Sequence, residues 1–213
     1  MNIAYIFPGQ GSQSVGMLAE LAAEHKIIKE TFDEASDLLA RDFWQMINNK
    51  ETEDLHSTEN TQPVMLAAGI AIWRLLETYV DKNLTCAAGH SLGEYTALVA
   101  AQAISFHDAI KLVFTRAKLM QSAVPSSSGS MVAIIGLEKE SVVELCNQTT
   151  SPTNIVEPVN FNAPLQTVIA GHKDAVNDVK KNVKLAKGKA ITLKVSIPSH
   201  SALMKSVAEE FSQ

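Results

Sequence analysis

Apolar positions recur along this chain with two different periods, and the switches between them predict its elements. Ile3 to Phe7 is a short unbroken apolar run closed by Pro8-Gly9, the pattern of a buried strand ending in a turn. Helical spacing follows through Met17 to Ala23, Ile27 to Leu39 and Pro63 to Tyr79, the last opening on Thr61-Gln62-Pro63 with proline in the first turn. Leu84 to Ala88 reads as a second short buried strand, and Gly89-His90-Ser91-Leu92-Gly93 then leads into a small-residue helix over Glu94 to Ala101. Ser105-Phe106-His107-Asp108 has the Ser-x-x-Asp form of a capping box and should open a helix reaching about Gln121. Strands alternating with helices in this way predict an α/β layer with a parallel sheet.

The pattern changes after Pro125-Ser126-Ser127-Ser128-Gly129, the one linker-like stretch. Strand spacing over Met131 to Leu137, helical spacing over Glu138 to Gln148, strands at Ile155 to Phe161 and Thr167 to Ala170, a helix over Lys173 to Leu185 and a strand over Ala190 to Val195 follow in turn. That order, βαββαβ, is the ferredoxin-like one. The expected organisation is a larger α/β domain built from residues 1–124 and 197–213, with a ferredoxin-like subdomain inserted over 125–196. The larger domain shows only two evident strands carrying at least four helices, whereas sheets commonly have about four to six strands. It therefore reads as incomplete on its C-terminal side.

Composition narrows the class. The chain has 213 residues, is 46% apolar and 19% charged, and carries a formal charge of −5. It can bury a sizeable core, and without a concentrated basic face it is not expected to bind nucleic acid. The longest apolar run, Pro63 to Trp73, is well short of the roughly 18 residues of a membrane span, and the first residues lack a basic signal-type segment. Cys86 and Cys146 stand sixty positions apart without metal-ligand spacing, so no disulfide framework or zinc site is expected and a reducing cytoplasm is the expected compartment. Charge is uneven: residues 1–60 hold 11 acids and 4 bases, residues 171–213 hold 4 acids and 8 bases.

Gly89-His90-Ser91-Leu92-Gly93 fits Gly-x-Ser-x-Gly between a predicted strand and a predicted helix, the setting in which that motif presents a nucleophile. The turn is so sharp that small residues are needed on both sides, and it puts the Ser91 hydroxyl at a helix N-terminus, where backbone N–H groups face a developing oxyanion. Serine needs a base. Of the six histidines, His25 and His56 lie in acid-rich polar segments, His107 in a helix first turn and His172 at a strand end. His90 points away from its neighbour, which leaves His200 in Pro198-Ser199-His200-Ser201; the pattern alone does not separate a base there from a structural histidine. Asp108, Asp174 and Asp178 are explained by helix capping or exposure, so no orienting acid emerges, which counts against a plain esterase. Pro8-Gly9-Gln10-Gly11-Ser12-Gln13 is neither a dinucleotide fingerprint nor a phosphate loop and is better read as an oxyanion donor for the Ser91 site. Arg116, inside the helix that follows His107, is open between two readings: a side chain snorkelling to solvent, or a fork for a substrate carboxylate.

Together Phe7-Pro8-Gly9-Gln10-Gly11-Ser12-Gln13, Thr61-Gln62-Pro63, Gly89 to Tyr95, Arg116 with Met120-Gln121, Gly129-Ser130-Met131, Asn160-Phe161-Asn162-Ala163-Pro164 and Pro198-Ser199-His200 make the chain resemble, from end to end, the bacterial malonyl-CoA:acyl carrier protein transacylases. The resemblance implies an α/β-hydrolase-like larger domain and ping-pong acyl transfer for fatty acid synthesis. It implies Ser91 as nucleophile, His200 as base, the N–H groups of Gln10 and Leu92 as oxyanion hole and Arg116 as the partner of the malonyl carboxylate. It further implies no bound cofactor or metal, malonyl-CoA as substrate, and the phosphopantetheine of acyl carrier protein as acceptor, with a cytoplasmic monomer expected. The histidine-orienting group of the family lies beyond His200, and this chain is expected to lack it. Lys173, Lys180, Lys181, Lys184, Lys187 and Lys189 are open between a solvated helix face and an attraction for the acidic carrier protein. A serine hydrolase and an inactive, shortened acyltransferase module are the competing expectations.

Overall fold

The strand read from Ile3–Phe7 forms as β1 in the computed structural model, which describes residues 3–49, 54–80, 84–125, 128–193, 195 and 197–213. The chain divides into two compact units, residues 1–117 and 118–213.

In the first unit β1 pairs in parallel with β2 (Leu84–Gly89), from Ile3 opposite Leu84 to Phe7 opposite Gly89. Tyr5, Phe7 and Ala87 on one face pack against Trp73, Ala97 and Ala100, with Trp73 edge-on to Tyr5 at 4.9 Å; on the other face Ile6 is 80% exposed. Helices make up the rest: α1 (Ala19–Glu24), α2 (Lys26–Leu39), α3 (Phe43–Asn48), α4 (Thr58–Leu76), α5 (Gly93–Ala100) and most of α6 (Phe106–Ser122), whose residues from Lys118 on fall in the second unit. α2 buries Ile28, Thr31, Phe32 and Ala35, a stripe at helical spacing, against α4. α4 is apolar nearly all round, as a helix at the centre of a core must be, and Val64, Leu66, Ala67, Ile70 and Ala71 are buried together. Ile110 and Val113 of α6 close this core.

α4 departs from the expected start. It begins at Thr58, so Pro63 lies in its interior and removes one helical hydrogen bond there. The first turn is polar yet buried: Thr58, Asn60, Thr61 and Gln62 are each under 9% exposed, and hydropathy does not betray a buried polar turn. Thr61 Oγ1 anchors it by donating to the Leu55 and Ser57 carbonyls at 2.6 and 2.9 Å, and Arg41 donates to Asn60 and Glu59. The Ser105 box forms: Asp108 N–H donates to Ser105 Oγ, which donates to the Asp108 carboxylate at 2.6 Å.

The second unit holds β3 (Gly129–Ile135), α7 (Lys139–Thr149), β4 (Val156–Ala163), β5 (Gln166–His172), α8 (Lys173–Leu185) and β6 (Lys189–Thr192), followed by α9 (Lys205–Phe211). The sheet order β4-β5-β3-β6, antiparallel throughout, is the ferredoxin-like arrangement expected from βαββαβ. Both helices lie on one face, where Val132, Ile134, Val142, Ile169, Val176, Val179 and Val183 form the core. Ile197, Met204 and Val207 pack with Met120 from the end of α6, so residues 197–213 belong to this unit by packing. Of the expected linker, Ser126 and Ser127 lie outside the described residues, as does Lys194 of the expected last strand, which ends at Thr192. Among the described residues no helix is long and apolar enough to cross a membrane.

Among the described residues one buried side-chain polar group is unsatisfied. Thr167 in β5, opposite Ile134 and Phe161, is fully buried, and its hydroxyl has no partner. A desolvated hydroxyl without a hydrogen bond costs free energy that an apolar group of the same shape does not. Thr167→Val is expected to stabilise the protein by about 1 kcal/mol, read as a higher urea midpoint with an unchanged slope. A lower midpoint would mean that the hydroxyl is satisfied in solution.

Candidate active site

The site is built where β1 and β2 end side by side. His90 N–H donates to the Phe7 carbonyl at 3.0 Å, which carries the pairing of the two strands one residue past β2. The chain then reverses into α5 over Ser91 and Leu92, with Gly93 and Glu94 N–H groups donating to the His90 and Ser91 carbonyls. A side chain at Gly93 would come under 3.0 Å from the Phe7 and Pro8 carbonyl oxygens, and one at Gly89 would meet the Gly93 backbone equally closely. Glycine is required at both positions because backbone stands where a Cβ would go.

Ser91 at the tip has φ 53, a left-handed conformation unusual for a residue with a side chain. Other non-glycine residues with positive φ, Ala40, Gln102 and Lys187, sit at helix C-termini, where that conformation is routine. Ser91, His200 (φ 67) and Leu18 (φ 64), which directly precedes α1, do not. Strain held at such places clusters at functional sites, and two of these three residues are the ones singled out as nucleophile and base.

Arg116 does not reach for solvent. Its Nη2 donates to Ser91 Oγ at 3.2 Å and its Nη1 to Gln62 Oε1 at 2.6 Å, while the guanidinium lies 5.8 Å from the centre of the Tyr95 ring. Burial lowers the Arg116 pKa from its ordinary value, opposed by Tyr95 and Glu94; burial raises that of Tyr95, opposed by Arg116. An arginine still remains charged at neutral pH. A fixed cation thus lies within hydrogen-bonding reach of the serine hydroxyl.

Gln10 belongs to the same corner. Its Nε2 donates to Thr58 Oγ1 at 3.3 Å, tying the Pro8-Gly9-Gln10 turn to the start of α4, and Gly9 rests so close to His90 that a Cβ there would meet the His90 carbonyl oxygen. Leu92, 1% exposed, is the residue from which α5 starts. Sequence reasoning missed Gln62 and Tyr95 as neighbours of Arg116. The available signal for Gln62 was an uncharged polar side chain on the helical stretch richest in apolar residues.

His200 lies in the second unit, exposed, in a turn fixed from both sides. Ser201 Oγ donates to the Pro198 carbonyl at 2.7 Å, Pro198 packs on Gly129 so tightly that a Cβ there would clash, and Ala202 N–H donates to Glu157 Oε2 at 2.6 Å. The remaining histidines have local duties or lie exposed. His172 Nδ1 accepts from Ile155 N–H at 2.9 Å, and His56 Nδ1 pairs with Gln13 Nε2 at 3.4 Å. Asp108 is taken up by Ser105, whose hydrogen bond lowers its pKa, and Asp178 pairs with Lys181 at 2.7 Å. On α8, Lys180 donates to Thr192 Oγ1 at 2.9 Å.

The chain is similar to known proteins along nearly its whole length. The family model described as acyl transferase domain matches residues 4–213. The chain is 50% identical over 210 residues to the malonyl CoA-acyl carrier protein transacylase of Salmonella typhimurium, covering 98% of this chain and 68% of that protein. Among solved structures it is similar to an acyl carrier protein S-malonyltransferase from Vibrio cholerae, with TM-score 0.92 and 50% identity over 99% of this chain and 69% of that one. It is also similar to a malonyl-transacylase solved in complex with a type II PKS acyl-carrier protein, with TM-score 0.95 and 48% identity over 99% of this chain and 68% of that one. The chain thus spans about two thirds of the length of these relatives. With a strained serine on a strand-to-helix elbow, an arginine against its hydroxyl and matches that run through nearly every residue, the chain belongs to the acyl transferase domain family and, within it, to the malonyl CoA-acyl carrier protein transacylases.

Proposed function

We propose that the protein moves a malonyl group from malonyl-CoA to the phosphopantetheine thiol of acyl carrier protein through an ester on Ser91, supplying fatty acid synthesis. The observation that carries this reading is the 3.2 Å hydrogen bond from Arg116 to Ser91 Oγ. Malonyl has its free carboxylate two carbons from the thioester carbonyl. A guanidinium beside the attacking oxygen can therefore grip that carboxylate while the carbonyl carbon sits over the serine. A neutral acyl group leaves the cation unpaired, which is the basis for selecting a dicarboxylic unit.

In this reading His200 takes the Ser91 proton as the oxygen attacks the thioester carbonyl, and the N–H groups of Gln10 and Leu92 hold the oxyanion. The C–S bond breaks, His200 returns the proton to the leaving CoA thiol, and malonyl remains on Ser91. The phosphopantetheine thiol of the carrier protein attacks the ester in turn, giving its proton to His200 and restoring Ser91. The elbow supports the oxyanion role because the Gly9–Gln10 turn and the start of α5 converge on Ser91. The relative solved with an acyl-carrier protein supports the acceptor. The reading includes a cytoplasmic monomer with no resident cofactor.

Radiolabelled malonyl-CoA tests it. Stable label on the purified protein, chased by acyl carrier protein, is expected; steady malonate release without label would make the protein a hydrolase, and neither would make it a non-catalytic module. Arg116→Ala is expected to lower the kcat/KM for malonyl loading by roughly 30-fold or more, the cost of removing one partner from a desolvated charge pair, and to leave acetyl loading within a few-fold. An equal loss for both acyl groups would show that Arg116 only supports the fold.

A further inference from the structure

The chain has three arginines, Arg41, Arg74 and Arg116, all in the first unit and all partly buried. Two of them are neutralised. Arg41 donates to Glu59 Oε1 at 2.5 Å and lies over the Phe114 ring, and Arg74 donates to Glu34 Oε2 at 2.6 Å and lies over the Phe106 ring. Arg116 also lies beside an aromatic ring, yet its two acceptors are the Gln62 amide oxygen and the Ser91 hydroxyl. Among the described residues no carboxylate stands within ion-pair distance of it. Glu94 acts on it only from further away.

This difference is costly, because a guanidinium taken out of water without a counter-ion loses hydration that neutral acceptors repay only in part. Gln62 is 1% exposed and held on the buried first turn of α4, so its position is set by the core rather than by solvent. Its oxygen keeps the hydrogen bond that orients Arg116 and leaves the positive charge uncompensated. Glutamate in the same place would add no heavy atoms and would close an internal ion pair like those of Arg41 and Arg74.

Building on the proposed malonyl transfer, we propose that Gln62 is a specificity-determining positioning residue: its neutral amide aims the Arg116 guanidinium at the Ser91 oxygen and reserves its charge for the carboxylate of the incoming acyl group. Gln62 acts through Arg116 and does not itself react.

The test compares loading of Ser91 from radiolabelled malonyl-CoA and acetyl-CoA in the wild type, Gln62→Glu and Gln62→Met, with kcat and KM separated and folding checked by circular dichroism. Gln62→Glu is expected to lower malonyl kcat/KM about 10- to 100-fold and to leave acetyl loading within about threefold, because a second anion must compete with an internal one. Gln62→Met keeps the volume and removes the hydrogen bond. Its malonyl KM is expected to rise several-fold, with kcat and acetyl loading less affected. A folded Gln62→Glu protein with an unchanged malonyl-to-acetyl ratio, or with equal losses for both, overturns the inference. Should Gln62→Glu not fold, Gln62→Met decides: a raised malonyl KM alone supports the proposal, and an unchanged KM overturns it. A wild type that takes acetyl label and no malonyl label would overturn the malonyl reading, and this inference with it.

Discussion

Ser91→Ala is expected to take no label from malonyl-CoA and to lose transfer to acyl carrier protein by at least about 1,000-fold, the usual scale for removing a nucleophile. The fold should survive the change. Alanine bears the φ of 53 at Ser91 no worse than serine does, and the elbow is held by backbone bonds from His90, Gly93 and Glu94 that the side chain does not make. Ser91→Gly separates chemistry from strain. It should be equally inactive yet more stable by up to about 1 kcal/mol, since glycine adopts positive φ without a Cβ penalty. Label on either variant would place the nucleophile elsewhere. A Ser91→Gly protein no more stable than wild type would remove strain from the account.

Gly93→Ala is expected to damage the fold severely. The new methyl group would stand under 3.0 Å from two carbonyl oxygens, those of Phe7 and Pro8. Both are backbone atoms, and Phe7 is also held by pairing with Gly89 and by the bond from His90. Relief therefore requires α5 to move away from β1, which opens the core that Ala97 and Ala100 make with Trp73. We expect a loss of about 3 kcal/mol or more, a large part of the roughly 5–15 kcal/mol available to a folded domain. Gly16→Ala is the matched control. Its φ of 80 imposes conformational strain, but nothing lies within 4 Å of its Cβ position, and it should cost about 1 kcal/mol. Equal urea midpoints for the two variants would show that close packing at the elbow is not what makes Gly93 necessary.

The ferredoxin-like order was legible because α7 and α8 each bury one face at helical spacing and β3 and β5 carry short buried apolar runs. α8, for example, buries Ala175, Val176, Val179 and Val183. α3 was overlooked although Asp42 caps it through Gln45 N–H, because Phe43–Asn48 is too short to show a period. The start of α4 was misplaced for a different reason. Its first turn is buried and polar, and a hydropathy pattern treats polar residues as exposed when their partners lie far along the chain.

Candidate chemistry divides along the same line. The serine elbow could be read from residues 89–93 because both its glycines and its strand-to-helix setting are contiguous, and the backbone conformation it needs is set by those few residues. Motif order along the whole chain was enough to indicate the family. What tertiary structure alone decided is the company Arg116 keeps: Ser91 lies 25 positions before it and Gln62 54 positions before it. Helical periodicity says which face of α6 is buried, but not what that face meets. Charge compensation is a property of atoms a few ångströms apart in space, so the distinction between two neutralised arginines and one held by an amide becomes visible only after α4, α5 and α6 have packed.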